Sequence, residues 1–308
     1  MRIVVTGKVG QVVTALIERG TAAGHEMVAL GRPELDLADP ASVAAALGTS
    51  AADAVVSAAG YTAVDKAESE PDLAHAINGA GAGAVAAAAK MLGVPLVHIS
   101  TDYVFDGLLD RPYVEGDPVG PTGVYGASKL AGEAAVLEMF GANSIILRVA
   151  WVYSPFGANF VKTMLRLAAD RDEIGVVADQ VGNPTSALDI ADAVLTIVSN
   201  LTTNPDPALR GVFHMTARGE ASWAEFAEHV FDVSARRGGA SARVRHIGTT
   251  DYPTPATRPP NSRLDCGKIA RVHDIVLPHW HDALATVIAR LVPSVSAGTD
   301  SPVFQKRK

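Results

Sequence analysis

The sequence predicts an α/β fold with a doubly wound parallel sheet and a smaller second lobe. Three observations support this prediction. In the first 150 residues, short apolar runs alternate with Ala-rich segments of helical length. The runs are apolar at every position rather than at every second one, which is typical of parallel strands covered by helices on both faces. A turn that contains glycine joins the first run to the first helix, as in Rossmann-like sheets.

The alternation defines most elements directly. We expect strands at 2–6, 26–30, 53–57, 95–100 and 144–149. We expect helices between them at 12–24, 40–47, 72–92 and 125–140. Asp39 has the position of an N-cap for the second helix. Beyond residue 150 the pattern loosens, and we expect helices at 159–169, 186–199, 223–236 and 281–291 and short strands at 175–178 and 211–215.

Charge and composition exclude several classes of protein. The 308 residues carry 33 acidic and 26 basic side chains, a net charge of −7, whereas nucleic-acid binders need a basic face. The single cysteine, Cys266, cannot form an internal disulfide. The chain begins with no signal-peptide pattern, and the Ala/Gly-rich stretch 76–97 contains Asn78 and Lys90, so it is too polar for a membrane span. We expect a soluble cytoplasmic protein that binds neither nucleic acid nor membrane.

The turn after the first strand has the form of a phosphate-binding loop. Gly7 and Gly10 are spaced so that the backbone can turn tightly and approach a ligand closely. Gln11 and Val12 then open the first helix, whose free N–H groups and partial positive charge favour a pyrophosphate. A third glycine is usual three residues after Gly10, but Val13 stands there. The loop predicts a bound dinucleotide, and a plain strand–turn–helix is the alternative for this feature alone.

The end of the second strand discriminates between dinucleotides. An acidic residue there would bind the ribose 2′-hydroxyl of NAD, and an arginine would bind the 2′-phosphate of NADP. The sequence has Arg32 at this point and no acid before Glu34. We therefore expect NADPH, with NADH as the alternative, and Asp36 and Leu37 near the adenine ring. The predicted units are a dinucleotide-binding domain at 1–150, a substrate-binding lobe at 151–292 with segments that return to the main sheet, and a frayed tail at 293–308.

Tyr125 and Lys129 lie four residues apart in a predicted helix, so their side chains share one helical face. A phenol has a reference pKa of about 10, and a nearby ammonium lowers that pKa towards neutrality. Tyr125 would then donate a proton to a carbonyl oxygen while a nicotinamide delivers hydride to the carbon. Thr101, at the end of the fourth strand, points into the same crevice and completes the set. A strand-end threonine that only satisfies backbone groups is the alternative.

With these motifs the chain resembles the extended short-chain dehydrogenase/reductase family, and within it the dTDP-4-dehydrorhamnose reductases. The resemblance covers nearly the whole chain. It is carried by GKVGQV at 7–12, RPELDLAD at 32–39, AAGYTAVDKAESEP at 58–71, STDYVFDG at 100–107, VYGASKLAGE at 124–133, LRVAWVYS at 147–154, NFVKTML at 159–165, DQVGNPTSALDIA at 179–191 and RPPNSRLDC at 258–266. The stretch 61–71 and the RPxNSxLD pattern are specific to this reductase group.

The resemblance implies NADPH-dependent reduction of the 4-keto group of dTDP-4-dehydro-L-rhamnose to dTDP-L-rhamnose. The catalytic residues are then Thr101, Tyr125 and Lys129, with Tyr125 as the general acid. Together with the loop, the resemblance implies cofactor contacts at Gly7, Gly10, Gln11, Val12, Arg32, Asp36, Leu37, Gly60, Tyr61, Thr62, Tyr125 and Lys129. It implies sugar contacts at Thr101, Asp102 and Trp151, and diphosphate contacts at Arg258, Asn261 and Arg263.

Three questions stay open at this point. Some relatives dimerise through a metal bridged by acidic residues, but the matching stretch, 13–16, has none here, so we expect no metal and either a monomer or a homodimer. Another nucleotide-sugar reductase or epimerase of the same fold is an alternative, because the sequence does not show how the sugar ring presents its faces. A non-catalytic regulatory subunit that binds the cofactor is the second alternative. It predicts loss of the threonine, tyrosine or lysine, and all three are present.

Overall fold

A computed structural model of the chain describes residues 1–293. The predicted frayed tail, 293–308, lies outside the described residues except for Pro293. Within the described part the strands are β1 (Arg2–Thr6), β2 (Glu26–Leu30), β3 (Ala54–Ser57), β4 (Leu96–Thr101), β5 (Ser144–Val149), β6 (Val152–Tyr153), β7 (Glu173–Val177), β8 (Val181–Gly182), β9 (Thr185–Ser186), β10 (Gly211–His214), β11 (Ala221–Ser222) and β12 (Arg243–Ile247). The α-helices are α1 (Gln11–Ala22), α2 (Pro40–Gly48), α3 (Val64–Ala67), α4 (Pro71–His75), α5 (Gly81–Leu92), α6 (Val124–Phe140), α7 (Phe160–Ala168), α8 (Ala187–Thr203), α9 (Trp223–Arg236), α10 (Gly267–His273) and α11 (Trp280–Leu291).

Six of these strands form one parallel sheet. Their order is β10-β5-β4-β3-β1-β2, and every neighbouring pair is parallel. From β1 the chain moves to β2 on one side and then to β3 on the other, so the winding reverses beside β1. This arrangement confirms the predicted doubly wound α/β fold. A crevice forms at such a reversal, outside the carboxyl ends of the strands.

Helices cover both faces of the sheet, which explains the uninterrupted apolar strands. Successive residues of a strand face opposite ways, so Ile3 and Val5 belong to one buried cluster and Val4 belongs to the other. The first cluster contains the buried faces of α1 and α8, and the second contains those of α2 and α5. Removing both faces of each strand from water is the main stabilising contribution to this sheet.

Side chains cap some helix starts, but not the start of α1 beside the sheet. Asp39 caps α2, as predicted, by accepting a hydrogen bond from the Ala41 N–H. Ser222 and Glu225 form a reciprocal capping box at the start of α9. No side chain caps α1, which begins directly after Gly10. Its first N–H groups are therefore left for another acceptor.

The helix predicted between the third and fourth strands contains a wider turn. The chain passes from α4 through a π-helical turn at Ala76–Ala80 into α5. The buried Asn78 of this turn accepts from the Tyr61 N–H at 2.8 Å and donates to the Ser128 hydroxyl at 2.9 Å. A Cβ on Gly132 of α6 would lie 2.1 Å from the Asn78 carbonyl oxygen. The glycine therefore determines how closely α6 can approach the π-turn.

The chain beyond residue 150 contributes to both the main sheet and a second lobe. α8 packs against α1, and β10 extends the main sheet beside β5. The lobe contains the parallel pairs β7–β12 and β6–β9, the antiparallel pair β8–β11, and the helices α7, α9 and α11. The division at residue 150 stays a prediction, and α8 and β10 are the segments that return to the sheet.

β12 and α10 are among the elements that escaped the sequence patterns, and each did so for a physical reason. β12 has the sequence RVRHI and is partly exposed along its length, so it lacks an apolar run. α10 has only seven residues, too few for a clear helical period. Within residues 1–293, no helix is long and apolar enough to cross a membrane, and no group of three or more His, Cys, Asp or Glu residues is placed to hold a metal ion.

We expect Gly132→Ala to lower the free energy of unfolding by about 1–3 kcal/mol, because the added methyl group would overlap the Asn78 carbonyl and push α6 outward. Denaturant titration followed by circular dichroism measures the change. Gly48→Ala is the matched control, since no atom lies within 4 Å of a Cβ built there. Equal stability of the two variants would contradict the close approach of α6.

Candidate active site

A cavity of about 720 Å³ opens at the carboxyl ends of β1 to β5. The segments that follow these five strands supply most of its lining. Of the predicted site residues, the lining contains Gly7, Gly10, Gln11, Val12, Arg32, Asp36, Leu37, Gly60, Thr62, Thr101, Asp102, Tyr125, Lys129 and Trp151. The structure thus brings together, at the reversal of the sheet, residues that lie up to 144 positions apart in the chain.

The loop after β1 forms part of the cavity wall. Gly7 has a φ of 101° and Gly10 a φ of 143°, conformations that glycine adopts without steric cost. The first-turn residues 11–13 line the cavity, and no side chain caps this helix. The Gln11 side chain is engaged elsewhere, since it accepts from the Ser154 hydroxyl at 2.8 Å. The free first-turn N–H groups therefore suit a phosphate.

Two cations lie at the end of the cavity formed by the segment after β2. Arg32 lines the cavity. Lys8 lines the cavity as well. Its backbone lies close to Gly31, since a Cβ built on Gly31 would be 3.1 Å from the Lys8 nitrogen. Glu34 is outside the lining and pairs with the Lys8 ammonium, which lowers the pKa of the Glu34 carboxyl. This end of the cavity favours a ligand with additional negative charge.

Tyr125 and Lys129 share one face of α6 and both line the cavity. Burial raises the pKa of Tyr125 to about 12, an effect that the Thr101 hydroxyl opposes and the Asp102 carboxylate increases. The expected lowering of this pKa by Lys129 is therefore wrong for this structure. The reason is geometric, because the Lys129 ammonium donates to the Ile99 carbonyl oxygen at 2.6 Å. Burial also lowers the pKa of Lys129, to about 8.

Asp102 is a buried carboxyl in the wall of the cavity, with 4% of its surface exposed. The Thr101 hydroxyl donates to its Oδ1 at 2.9 Å, whereas Oδ2 is buried and has no hydrogen-bond partner among the described residues. Burial raises the pKa of Asp102 to about 6, and the nearby Ser262 and Thr101 hydroxyls offset part of that rise. A carboxyl with such a pKa changes charge close to neutral pH, as functional carboxyls often do.

Two stacked tryptophans form part of the cavity wall. The indoles of Trp151 and Trp223 have ring centres 3.5 Å apart and planes 5° apart, and both line the cavity. Trp151 has a left-handed φ of 47°, a conformation that costs a bulky residue about 1–3 kcal/mol. A Cβ on Gly182 would lie 2.4 Å from the Trp151 ring, so the glycine makes room for the stack.

The Tyr61 side chain lies outside the cavity lining, unlike its two neighbours Gly60 and Thr62. Its hydroxyl donates to Glu70 at 2.7 Å, and its backbone N–H donates to Asn78. The Tyr61 phenol therefore binds the Glu70 carboxylate, outside the cavity lining. Of the predicted cofactor segment, the residues on either side of Tyr61 reach the cavity.

Arg258, Asn261 and Arg263 also lie outside the lining. Arg258 donates to Asp65 at 2.7 Å. Asn261 donates to two carbonyl oxygens of the segment 109–111, at 2.7 and 2.8 Å, and Arg263 donates to a third at 2.6 Å. The last two side chains therefore fasten a loop, and the other Arg263 donors are occupied by the Asn261 side-chain oxygen and the Glu220 carboxylate.

Known proteins match this chain over almost its whole length. The family model described as the RmlD substrate binding domain matches residues 1–292. A dTDP-4-dehydrorhamnose reductase of Sinorhizobium fredii is 50% identical over 292 residues, which is 95% of this chain and 98% of that protein. The chain belongs to the dTDP-4-dehydrorhamnose reductase family. The reductase of Escherichia coli K12 is 41% identical, with 94% of this chain and 98% of that protein covered.

Solved structures of the family have the same fold. A dTDP-4-dehydrorhamnose reductase ortholog from Clostridium acetobutylicum superposes with a TM-score of 0.87 at 36% identity, covering 94% of this chain and 99% of that one. The dTDP-4-dehydrorhamnose reductase of Bacillus anthracis, solved in complex with NADP, superposes with a TM-score of 0.86 at 34% identity, covering 93% and 98%. The architecture of this family member is therefore that of the reductases it resembles.

Sequence reasoning gave no role to three residues that the structure of this family member places at the site. Lys8 and Trp223 line the cavity, and Ser262 lies beside Asp102. Lys8 and Ser262 stand inside motifs that carried the resemblance, but a motif does not show which of its members face a ligand. Trp223 stands outside every such motif, at the start of a lobe helix.

We expect Asp102→Asn to stabilise the fold near pH 7.5 and to leave its stability nearly unchanged near pH 4. The folded-state pKa of about 6 lies above the ordinary value of 3.8, so ionisation costs stability as the pH rises between these two values. Above pH 6 the gain in the amide variant is at most about 3 kcal/mol. Thermal denaturation at both pH values measures it.

The exposed Asp170→Asn variant is the control for the charge change. Its stability should follow the parent protein at both pH values. If Asp102→Asn shows the same pH dependence as the parent, the buried carboxyl does not have a raised pKa.

Proposed function

We propose that this member of the family reduces the 4-keto group of dTDP-4-dehydro-L-rhamnose to dTDP-L-rhamnose, with NADPH as the reductant. The observation that carries the proposal is the position of Tyr125 beside Thr101 in the cavity that also contains the uncapped first turn of α1. A proton donor and a phosphate-binding helix end in one cavity suit the reduction of a carbonyl by a dinucleotide. The named relatives, and the Bacillus anthracis protein solved with NADP, support the same reaction.

The residues present fit a dinucleotide along the cavity. The glycine loop and the first turn of α1 would hold the pyrophosphate, and Asp36 and Leu37 would flank the adenosine. Arg32, with Lys8 beside it, would bind a ribose 2′-phosphate. Tyr61 would act indirectly, by fixing the backbone on either side of it. When bound, the reduced nicotinamide supplies the hydride that reaches the keto carbon.

Tyr125 supplies the proton. A pKa of about 12 keeps its phenol protonated at neutral pH, which is the form that a proton donor needs. To give the keto oxygen a second hydrogen bond, the Thr101 hydroxyl would turn away from Asp102 Oδ1, because it has only one proton to donate. The Lys129 ammonium, on the same helix face, would contact the cofactor, as the resemblance implies.

The other substrate contacts divide into direct and supporting ones. Trp151 offers an indole face to the deoxysugar, and Asp102 offers a carboxyl oxygen to a sugar hydroxyl. Arg258 retains a buried Nη1 with no partner in the described part of the chain, so this donor is available to a diphosphate oxygen. Asn261 and Arg263 support the site by fastening the neighbouring loop.

We also propose that the enzyme works in the cytoplasm, as a monomer or a homodimer, on a dissolved nucleotide sugar. The net charge of −7 and the single cysteine support this location. Light scattering coupled to size-exclusion chromatography decides between the two oligomeric states.

The deciding experiment measures NADPH consumption by the purified chain with dTDP-4-dehydro-6-deoxyglucose, in the presence and absence of a 3,5-epimerase. Oxidation that depends on the epimerase, with dTDP-L-rhamnose identified by NMR, is the expected result. A 6-deoxytalose product would assign the chain to another stereochemical outcome. Binding of NADPH without turnover of either keto sugar would favour a regulatory subunit.

We expect Tyr125→Phe to lose nearly all turnover and to bind NADPH with an affinity within about threefold of the parent protein, because general acid catalysis contributes about 10²–10⁴-fold to a rate. Initial rates and fluorescence titration with NADPH measure the two properties. Tyr252→Phe, which changes a tyrosine that is 61% exposed, is the matched control and should keep full activity. An active Tyr125→Phe enzyme would rule out Tyr125 as the acid.

We expect Arg32→Ala to weaken NADPH binding roughly 10- to 100-fold, because a charged hydrogen bond contributes about 1.5–3 kcal/mol. NADH has no 2′-phosphate, so its binding should change by less than about twofold. Calorimetric titration with both cofactors separates the two effects. A parallel loss of affinity for both cofactors would show that Arg32 supports the loop rather than the phosphate.

A further inference from the structure

A buried ion pair lies one helical turn beyond Lys129 on the same face of α6. Glu133 is 2% exposed and Arg148 of β5 is 4% exposed. Their side chains form a two-pronged contact, with Nη2 2.7 Å from Oε2 and Nε 3.0 Å from Oε1. Neither residue lines the cavity. Since burying two charges costs several kcal/mol before their attraction is counted, stability alone is a weak reason for this pair.

The pair joins α6 to two adjacent strands at the level of the catalytic lysine. Ser100 of β4 and Arg148 of β5 are register partners in the sheet, and both donate to the Glu133 carboxylate. The preceding residue of β4, Ile99, accepts from the Lys129 ammonium through its carbonyl oxygen. Consecutive residues of β4 thus hold side chains that are one turn apart on α6.

We propose that Glu133 is a positioning residue of the proposed reduction, which holds the face of α6 that carries Tyr125 and keeps the Lys129 ammonium charged. The inference rests on the proposed function for its catalytic meaning. Its structural basis is independent of that function, because it consists of the Glu133 contacts to β4 and β5 and of the Lys129 contact to β4.

Among the charged groups near Lys129, the Glu133 carboxylate is the one that opposes the effect of burial on the lysine pKa. Tyr125 and Glu133 lie on the same face of α6 as this lysine, and His98 of β4 is close enough for the Lys129 charge to act on it. Asp102, after β4, acts on Tyr125, and Arg148 of β5 pairs with Glu133. Burial lowers the pKa of Lys129 to about 8, and the Glu133 carboxylate works against that fall. Burial, with the Lys129 charge, holds the pKa of His98 well below its usual value, so His98 adds no positive charge near neutral pH.

We expect Glu133→Gln to lower the pKa of Lys129 by about one pH unit, because the amide keeps the shape of the side chain but removes its charge. Titration of ¹³C-labelled lysine side chains by NMR measures that pKa without any turnover. In the keto-sugar assay, the alkaline limb of kcat/KM should move to lower pH by the same amount. At pH 6, NADPH should bind within about threefold of the parent affinity.

Two further variants keep the proposal open to refutation. Ser100→Ala removes one hydrogen bond to the same carboxylate without changing any charge, so it should leave the lysine pKa and the pH profile in place. If Glu133→Gln fails to fold because Arg148 is left unpaired, the double variant Glu133→Gln/Arg148→Gln removes both buried charges. The double variant should still show the lowered lysine pKa, because Glu133 is the member of the pair that acts on Lys129.

The outcomes separate this inference from the proposed function. A lysine pKa and pH profile equal to the parent's, together with a lower melting temperature, would show that Glu133 is only structural. A lowered lysine pKa in a chain that reduces no keto sugar would refute the proposed function and leave the electrostatic role of Glu133 in place.

Discussion

The proposed site depends on how closely helix α6 lies against the end of β4 and the π-turn. Two glycines on α6 permit this approach. A Cβ on Gly126 would lie 2.2 Å from the Tyr103 carbonyl oxygen, and one on Gly132 would lie 2.1 Å from the Asn78 carbonyl oxygen. Because Gly126 follows Tyr125 directly, the first contact brings the phenol beside the Thr101 hydroxyl. Any residue larger than glycine at these two positions would move the proton donor relative to the sheet.

The same close packing gives the site its unusual protonation states. Burial raises the pKa of Asp102 to about 6 and that of Tyr125 to about 12, while it lowers that of Lys129 to about 8. Each shift disfavours the charged form of its group, so the Asp102 carboxylate and the Lys129 ammonium are held at a cost in stability near neutral pH, whereas the Tyr125 phenol stays neutral. For a reductase the same burial has a use, since a phenol that stays protonated at neutral pH can act as a donor. The apolar sheet, with its two covered faces, supplies the stability that offsets the cost.

The sequence predicted the parallel sheet well because its signal is local. The strands 2–6, 26–30 and 144–149 have the predicted bounds, since each is a short, mostly apolar run bounded by turn or helix residues. Side-chain partners were harder to predict, because a spacing fixes which face a residue occupies but not which of several acceptors it binds. Lys129 was expected to lower the pKa of the Tyr125 phenol, yet its ammonium donates to the Ile99 carbonyl instead. Asn261 was expected on a phosphate, yet it fastens a loop from a distant part of the chain.

The tryptophan stack shows why the second lobe was the part least accessible to sequence reasoning. Trp151 leaves β5 in a left-handed conformation that disfavours any large side chain. Three tertiary features compensate for that cost: the stacked Trp223, the space left by Gly182, and the pairing of β6 with β9 directly after Trp151. Trp223, Gly182 and the partner strand β9 are all distant from Trp151 in the sequence. A periodic pattern along the sequence therefore does not reveal these contacts. The lobe therefore shapes the cavity by holding Trp151, in its left-handed conformation, against Trp223 in the cavity wall. This contribution depends on tertiary contacts, so it appears in the folded structure and not in the sequence pattern.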